Sequence, residues 1–108
     1  MNMPVTAPFT DAATLDHELE LFLDWFQSRR FSRHTCKSYR SVDRLFLNWL
    51  RDRRDVTRAG QLAAEHLHAY QRHLSNVTTR KNLPLKPTTI NRRISGAKTF
   101  LKWLYDRG

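Results

Sequence analysis

FLDWFQSR (Phe22–Arg29), FLNWLRDR (Phe46–Arg53) and FLKWLYDR (Phe100–Arg107) are three copies of one phrase, and their reading decides the fold. Each copy sets apolar groups at i, i+3 and i+4 and closes on a cation. That spacing predicts an amphipathic helix, with an apolar stripe facing a core and positive charge on the negative end of the dipole. All three tryptophans lie in these copies. The second and third copies also match upstream: Phe31–Arg53 laid on Leu85–Arg107 gives eight identities, among them Thr35/Thr89, Ser41/Ser95 and Trp49/Trp103. Average composition gives roughly one or two over such a span. Recurring helical grammar and internal duplication both account for the match, and either one implies that the second and fourth helices are built alike.

Working outward, the other elements follow from caps and breakers. A first helix is expected over about Leu15–Arg29 behind Thr14 as N-cap, with Leu15, Leu19, Phe22, Trp25 and Phe26 inward and Asp16, Glu20 and Asp24 outward. Ser32 caps a second helix over about Arg33–Arg53, inward at Cys36, Tyr39, Val42, Phe46, Trp49 and Leu50. Its opposite face carries Arg33, Lys37, Arg40, Arg44 and Arg51, a continuous basic stripe. A polar connection, residues 55–60, leads to a shorter helix over about Ala63–Leu74, buried through Leu67, Tyr70 and Leu74. Residues 75–86 read as a basic loop holding Arg80, Lys81 and Lys86. Pro87 suits the first position of a fourth helix running to about Arg107, inward at Ile90, Ile94, Ala97, Leu101 and Leu104, with Gly108 at its end. Nothing alternates with period two, so the fold class is all-α with no sheet.

The 108 residues suffice for one core without metal or disulfide staples. One cysteine, Cys36, cannot bridge internally, which points to a reducing, cytoplasmic compartment. The amino terminus has no basic start and no apolar h-region, and no apolar run approaches the ~20 residues that span a bilayer. The net charge of +9 is uneven: residues 1–26 hold five acids and no Lys or Arg, whereas residues 27–108 hold all 19 cations against five acids. Fourteen of those cations are arginines, whose planar fork matches phosphate oxygens. The expected partner is therefore a polyanion, with no membrane role.

The openings of the second and fourth helices gather the candidate contacts: Arg33, His34, Thr35, Lys37, Arg40 and Arg44 on one, Lys86, Thr88, Thr89, Asn91, Arg92, Ser95 and Lys98 on the other, with Arg80 and Lys81 on the loop between. A helix N-terminus offers unpaired N–H groups to phosphate, and Thr, Asn and Arg beside it bond sugar-phosphate or base edges. Arg93 lies beside the apolar stripe, where it buries its stem and keeps its head in water. His66 and His68 diverge on their helix, and His73 is two turns from His66, too far for one metal ion. No Ser/His/Asp or Cys/His grouping and no glycine-rich phosphate loop is evident, so no catalytic residue, metal, cofactor or small-molecule ligand is expected.

Phe31-Ser32-x-x-Thr35-x-x-x-Tyr39, continuing through Leu45-Phe46-x-x-Trp49-Leu50, and then Thr89-Ile90-Asn91-Arg92-Arg93-Ile94-Ser95-x-Ala97-Lys98-x-Phe100-x-x-Trp103-Leu104, resemble the N-terminal core-binding domain of tyrosine recombinases, the phage-integrase and Xer-type family. The resemblance covers about Leu15 to Gly108. It implies a four-helix, SAM-like orthogonal bundle forming one jaw of a clamp around duplex DNA at a recombination half-site, reached by the beginnings of the second and fourth helices. On that footing residues 1–13 are a flexible tail and 14–108 the DNA-binding domain. The family's catalytic Arg, Lys, His-x-x-Arg and tyrosine nucleophile have no counterpart here, so the chain is expected to bind double-stranded DNA and cut nothing. The isolated domain is expected to be monomeric and its parent to oligomerise on DNA. Two positions depart from the family pattern: Phe31 stands where Leu is usual, and Lys86-Pro87 replaces the common Leu-Ser cap.

Two other classes remain open from the residues alone. A helical transcriptional regulator would read DNA with one basic helix, but the connections are long for its three-residue turn. A protein-interaction bundle would dock through the acidic first helix.

Overall fold

The computed structural model describes residues 14–29 and 32–107. The tail 1–13, Phe31 and the terminal Gly108 lie outside the described residues. Four helices follow one another: α1 (Leu15–Ser28), α2 (Arg33–Arg54), α3 (Ala64–Asn76) and α4 (Pro87–Arg107). No strand occurs among the described residues, only two isolated bridges, Thr14 with Arg58 and Thr78 with Pro84.

The helices start where their caps put them. The Thr14 hydroxyl accepts from the His17 N–H, and the Ser32 hydroxyl accepts from the Thr35 N–H at 3.1 Å. α3 is capped by its own His66, whose Nδ1 accepts from the Ala63 N–H at 2.9 Å. α2 ends on Asp55 in the left-handed region, φ 55°, an αL cap without glycine. The connection after it makes a 3-10 turn, Ala59–Gln61, with Val56 and Ala59 buried and the Thr57 carbonyl accepting from the Leu15 N–H at 2.8 Å. α1 is thereby tied at its start to the α2–α3 connection. α3 runs to Asn76, two residues beyond expectation, because its final side chains bond back into the helix: Ser75 Oγ to the Gln71 carbonyl and Asn76 Nδ2 to that of Arg72.

Repetition in the sequence becomes repetition in the packing. α2 and α4 cross where a Cβ on Gly96 would come within 2.6 Å of the Val42 side chain. Laid on each other with the offset that matches the repeats, Val42 and Gly96 are the same position. The two helices therefore cross at corresponding residues, as about a local two-fold. Their coverings correspond too. Tyr70 and His73 of α3 sit on Phe46 and Trp49 of α2, with ring centroids 4.8 Å (Phe46–Tyr70), 5.1 Å (Trp49–Tyr70) and 5.7 Å (Trp49–His73) apart. Phe22 and Trp25 of α1 sit likewise on Phe100 and Trp103 of α4, at 5.5 Å from Phe22 to each and 6.5 Å for Trp25–Trp103. The architecture is two helical hairpins, α1–α2 and α3–α4, each laying its first helix on the second helix of the other.

Within each phrase the buried arc is narrower than the sequence predicts. At about 100° per residue the first, second and fifth positions cluster, and the tryptophan falls at the edge. Phe22, Leu23 and Phe26 are buried, as are Phe46, Leu47 and Leu50 and then Phe100, Leu101 and Leu104. Trp25, expected inward, is 41 % exposed; Trp103 is half-buried, and only Trp49 is buried. Leu67, Ile90, Cys36 and Tyr39, also expected inward, are half-buried. Two acids join the core unforeseen: Glu18 and Asp43.

Candidate nucleic-acid interface

At the opening of α2 the Ser32 hydroxyl lies 2.9 Å from that of Thr35, so both serve the cap, while Arg33, His34 and Lys37 stand exposed. A hollow of about 290 Å³ beside them is lined by Leu23, Gln27, Arg33, Cys36, Lys37 and Arg40. Two apolar walls and three cations suit a sugar-phosphate stretch better than a compact ion.

Farther along α2 the basic stripe is not free. Arg40 donates to Glu20 at 2.6 Å, and Arg44 donates to Asp16 at 2.6 Å while its other nitrogen stands 3.9 Å from Glu20. The hydrogen bond to Glu20 pushes the Arg40 pKa up further. The expected division between a basic face of α2 and an acidic face of α1 turned elsewhere does not hold, because antiparallel neighbours bring the flanks of their apolar stripes into register. These pairs are solvent-exposed and contribute about 0–1 kcal/mol each. Arg51 bonds its neighbour Asp52 at 2.9 Å.

The loop between α3 and α4 is built rather than slack. Thr79 bonds Leu83 across it at 2.7 Å, its hydroxyl accepts from the Lys81 and Leu83 N–H groups, and Asn82 takes the left-handed conformation, φ 60°. This holds Arg80, Lys81 and Leu83 out in solvent, Leu83 at 56 % exposure. α4 begins at Pro87, with the Ile90 N–H already bonded to the Lys86 carbonyl, so Lys86 occupies the capping place and Thr88, Asn91 and Arg92 are exposed on the first turns. Thr89 is half-buried; Ser95 and Lys98 are exposed one and two turns on.

Past their openings the two helices meet at the crossing. A cavity of about 140 Å³ there is lined by Ser38, Tyr39 and Val42 of α2 and by Arg92, Ser95 and Gly96 of α4. It brings Arg92 and Ser95 against α2 and adds Ser38 and Tyr39, which the sequence had not singled out as contact residues. The signal was present in the repeat, since Ser38 corresponds to Arg92. Beneath this crossing lies Asp43, wholly buried, with neither carboxyl oxygen hydrogen-bonded. Burial pushes its pKa up to about 8. Its field and burial together push the Tyr70 phenol up to about 12, burial first.

On the other side of the bundle Trp25, Thr99, Lys102, Trp103 and Asp106 line a hollow of about 470 Å³, the uncovered edge of the α1–α4 contact. No group of three or more His, Cys, Asp or Glu side chains that could hold a metal ion occurs among the described residues. No helix among them is long and apolar enough to cross a membrane.

The family model described as phage integrase, N-terminal SAM-like domain, matches residues 19–108. No curated protein and no solved structure gives a significant match. The match takes in α2, the loop, α4 and all but the first turn of α1, with both cationic openings and the crossing between them. The chain belongs to the phage integrase N-terminal SAM-like domain family.

Proposed function

We propose that this chain is the DNA-holding domain of a site-specific tyrosine recombinase, a jaw that grips duplex DNA at a half-site while catalysis belongs to a separate domain of a cytoplasmic parent. The observation that carries it is the presence of two cationic helix openings, α2 from Arg33 and α4 from Lys86, on helices that cross at Val42 and Gly96 in a chain of integrase family. Arg33, His34, Thr35 and Lys37 face one stretch of backbone; Lys86, Thr88, Thr89, Asn91, Arg92, Ser95 and Lys98 face another, with Arg80 and Lys81 reaching from the loop. Arg40 and Arg44 contribute only after release from Glu20 and Asp16. Residues 14–108 form the functional unit, monomeric in isolation, and oligomerisation on DNA belongs to the parent.

Contacts of this kind are mostly to phosphate, so binding by the isolated domain discriminates little between sequences and weakens by ~0.9 log units per log unit of salt for each phosphate neutralised. Amide shift mapping on addition of duplex tests the surface, with a salt titration alongside. Perturbations are expected at residues 33–37 and 86–92. A map centred on the exposed face of α1, or an affinity indifferent to salt, rejects the reading in favour of a protein-interaction bundle. Two of the three outer acids of α1 are already committed to arginines of α2, which speaks against that alternative.

A further inference from the structure

The far end of α2 makes a second basic surface, lined by none of the expected contact residues. Where the last turns of α2 and α3 come together, a groove of about 300 Å³ is lined by Trp49, Arg53, Arg54, Arg72, His73 and Asn76. No carboxylate lines it. Arg54 lies with its guanidinium over the Trp49 indole, 5.4 Å from the ring centroid, a cation–π contact that holds the side chain beside the groove. His73 lies against the same indole with its ring tilted, 5.7 Å between centroids.

Neutralising helix ends does not account for so much charge. Two C-termini together carry about −1, half a charge each. Three guanidiniums carry +3, so an excess of about +2 remains with no acid lining the groove. The field reaches the neighbouring imidazole: burial first, then Arg53 from α2 and Arg93 from α4, holds the His73 pKa below its ordinary value. Arg93 stands on the second turn of α4, so a cation next to the α4 opening acts on an imidazole of the groove.

We infer that this groove is a phosphate site, in which Arg53, Arg54 and Arg72 hold the sugar-phosphate backbone of the duplex beyond the stretch gripped by the α4 opening. The assignment rests on the DNA-binding reading and extends its contact surface by one groove. Guanidinium forks bond phosphate oxygens in pairs, and three of them carried on two helices can hold neighbouring groups of one backbone.

His73 supplies a reporter that touches the groove without carrying its charge. Its imidazole titration is followed by NMR in the free protein, with saturating short duplex, and with inorganic phosphate at matched ionic strength. Backbone in the groove offsets the two arginines that depress it, so the midpoint is expected to move upward with duplex. An upward move with phosphate and none with duplex marks a free-ion site and overturns the backbone assignment. In parallel, the triple variant Arg53→Gln, Arg54→Gln, Arg72→Gln is expected to lower the salt slope by up to ~2.7, three contacts at ~0.9 each. The variant Arg33→Gln, Lys37→Gln separates the two claims. If it loses affinity while the triple variant binds as the parent does and the His73 midpoint stays fixed, the groove assignment alone falls. A parent that binds no duplex overturns both.

Discussion

Asp43 is a carboxyl placed at a helix crossing with nothing to bond to, beside a Gly96 whose missing Cβ would stand 3.1 Å from its Oδ1. An unpaired buried charge is costly, and the acid meets that cost by keeping its proton. Its folded pKa, about 8, lies above the unfolded value of about 3.9, so the native state binds more protons between those limits. Stability from this group is complete below about pH 4 and is lost as pH rises through about 8, by at most about 6 kcal/mol. Urea midpoints measured from pH 5 to 9 are expected to fall relative to those of Asp43→Asn, which keeps the shape and cannot ionise. Parallel profiles for the two proteins count against it. Gly96 is the complementary case: Gly96→Ala raises helix propensity yet is expected to destabilise by about 1–3 kcal/mol, because the new methyl meets Val42 at 2.6 Å. A melting temperature at or above the parent's refutes the close crossing.

At the scale of elements, one phrase written on three helices yields three environments, and the tryptophans measure the difference. Trp49 is covered by α3, Trp103 is half-covered by α1, and Trp25 stands at the rim. Truncation to alanine is expected to cost about 3–5 kcal/mol at Trp49, less at Trp103 and least at Trp25. Equal losses at all three in chemical denaturation show the rim assignment to be wrong. The α1–α2 contact makes a prediction of opposite sign for binding. Since Asp16 and Glu20 occupy Arg44 and Arg40, the pair Asp16→Asn and Glu20→Gln is expected to tighten duplex binding several-fold and steepen its salt dependence, at a stability change within about 1 kcal/mol. Fluorescence anisotropy reads it; unchanged affinity leaves Arg40 and Arg44 outside the interface.

The whole molecule is two hairpins exchanging their first helices across the α2–α4 crossing, and this arrangement decides what the tyrosines are for. Tyr70 is buried with its phenol pushed up to about 12, and Tyr39 packs on Phe26 at 4.6 Å between ring centroids. Tyr105 is exposed at the end of α4, about five turns along the helix from the α4 opening. Tyr39 lines the crossing cavity beside Arg92 and Ser95, but no His, Asp or Glu lines that cavity to serve as a base. On a nicked suicide duplex the purified chain is expected to form no covalent adduct, read by denaturing gel. An adduct at any of the three contradicts the assignment of this chain as a holding jaw.

The sequence by itself determined the four helices, the starting residues of α1, α2 and α4 and the class of fold, because caps, prolines and apolar periodicity are local. It also determined the charge on the openings of α2 and α4, and the family, since the Thr-Ile-Asn-Arg-Arg-Ile-Ser phrase is a local string. Tertiary structure alone decided which tryptophan is covered, because the edge of an apolar arc is buried only if a neighbouring helix reaches it. It decided that Arg40 and Arg44 meet acids of α1, since a helical wheel cannot register one helix against another. The burial of Asp43 and the convergence of Arg53, Arg54 and Arg72 likewise depend on where α3 and α4 lie against α2. A charge repels or binds according to its neighbours in space, and those belong to the packing of the hairpins rather than to any single stretch of chain.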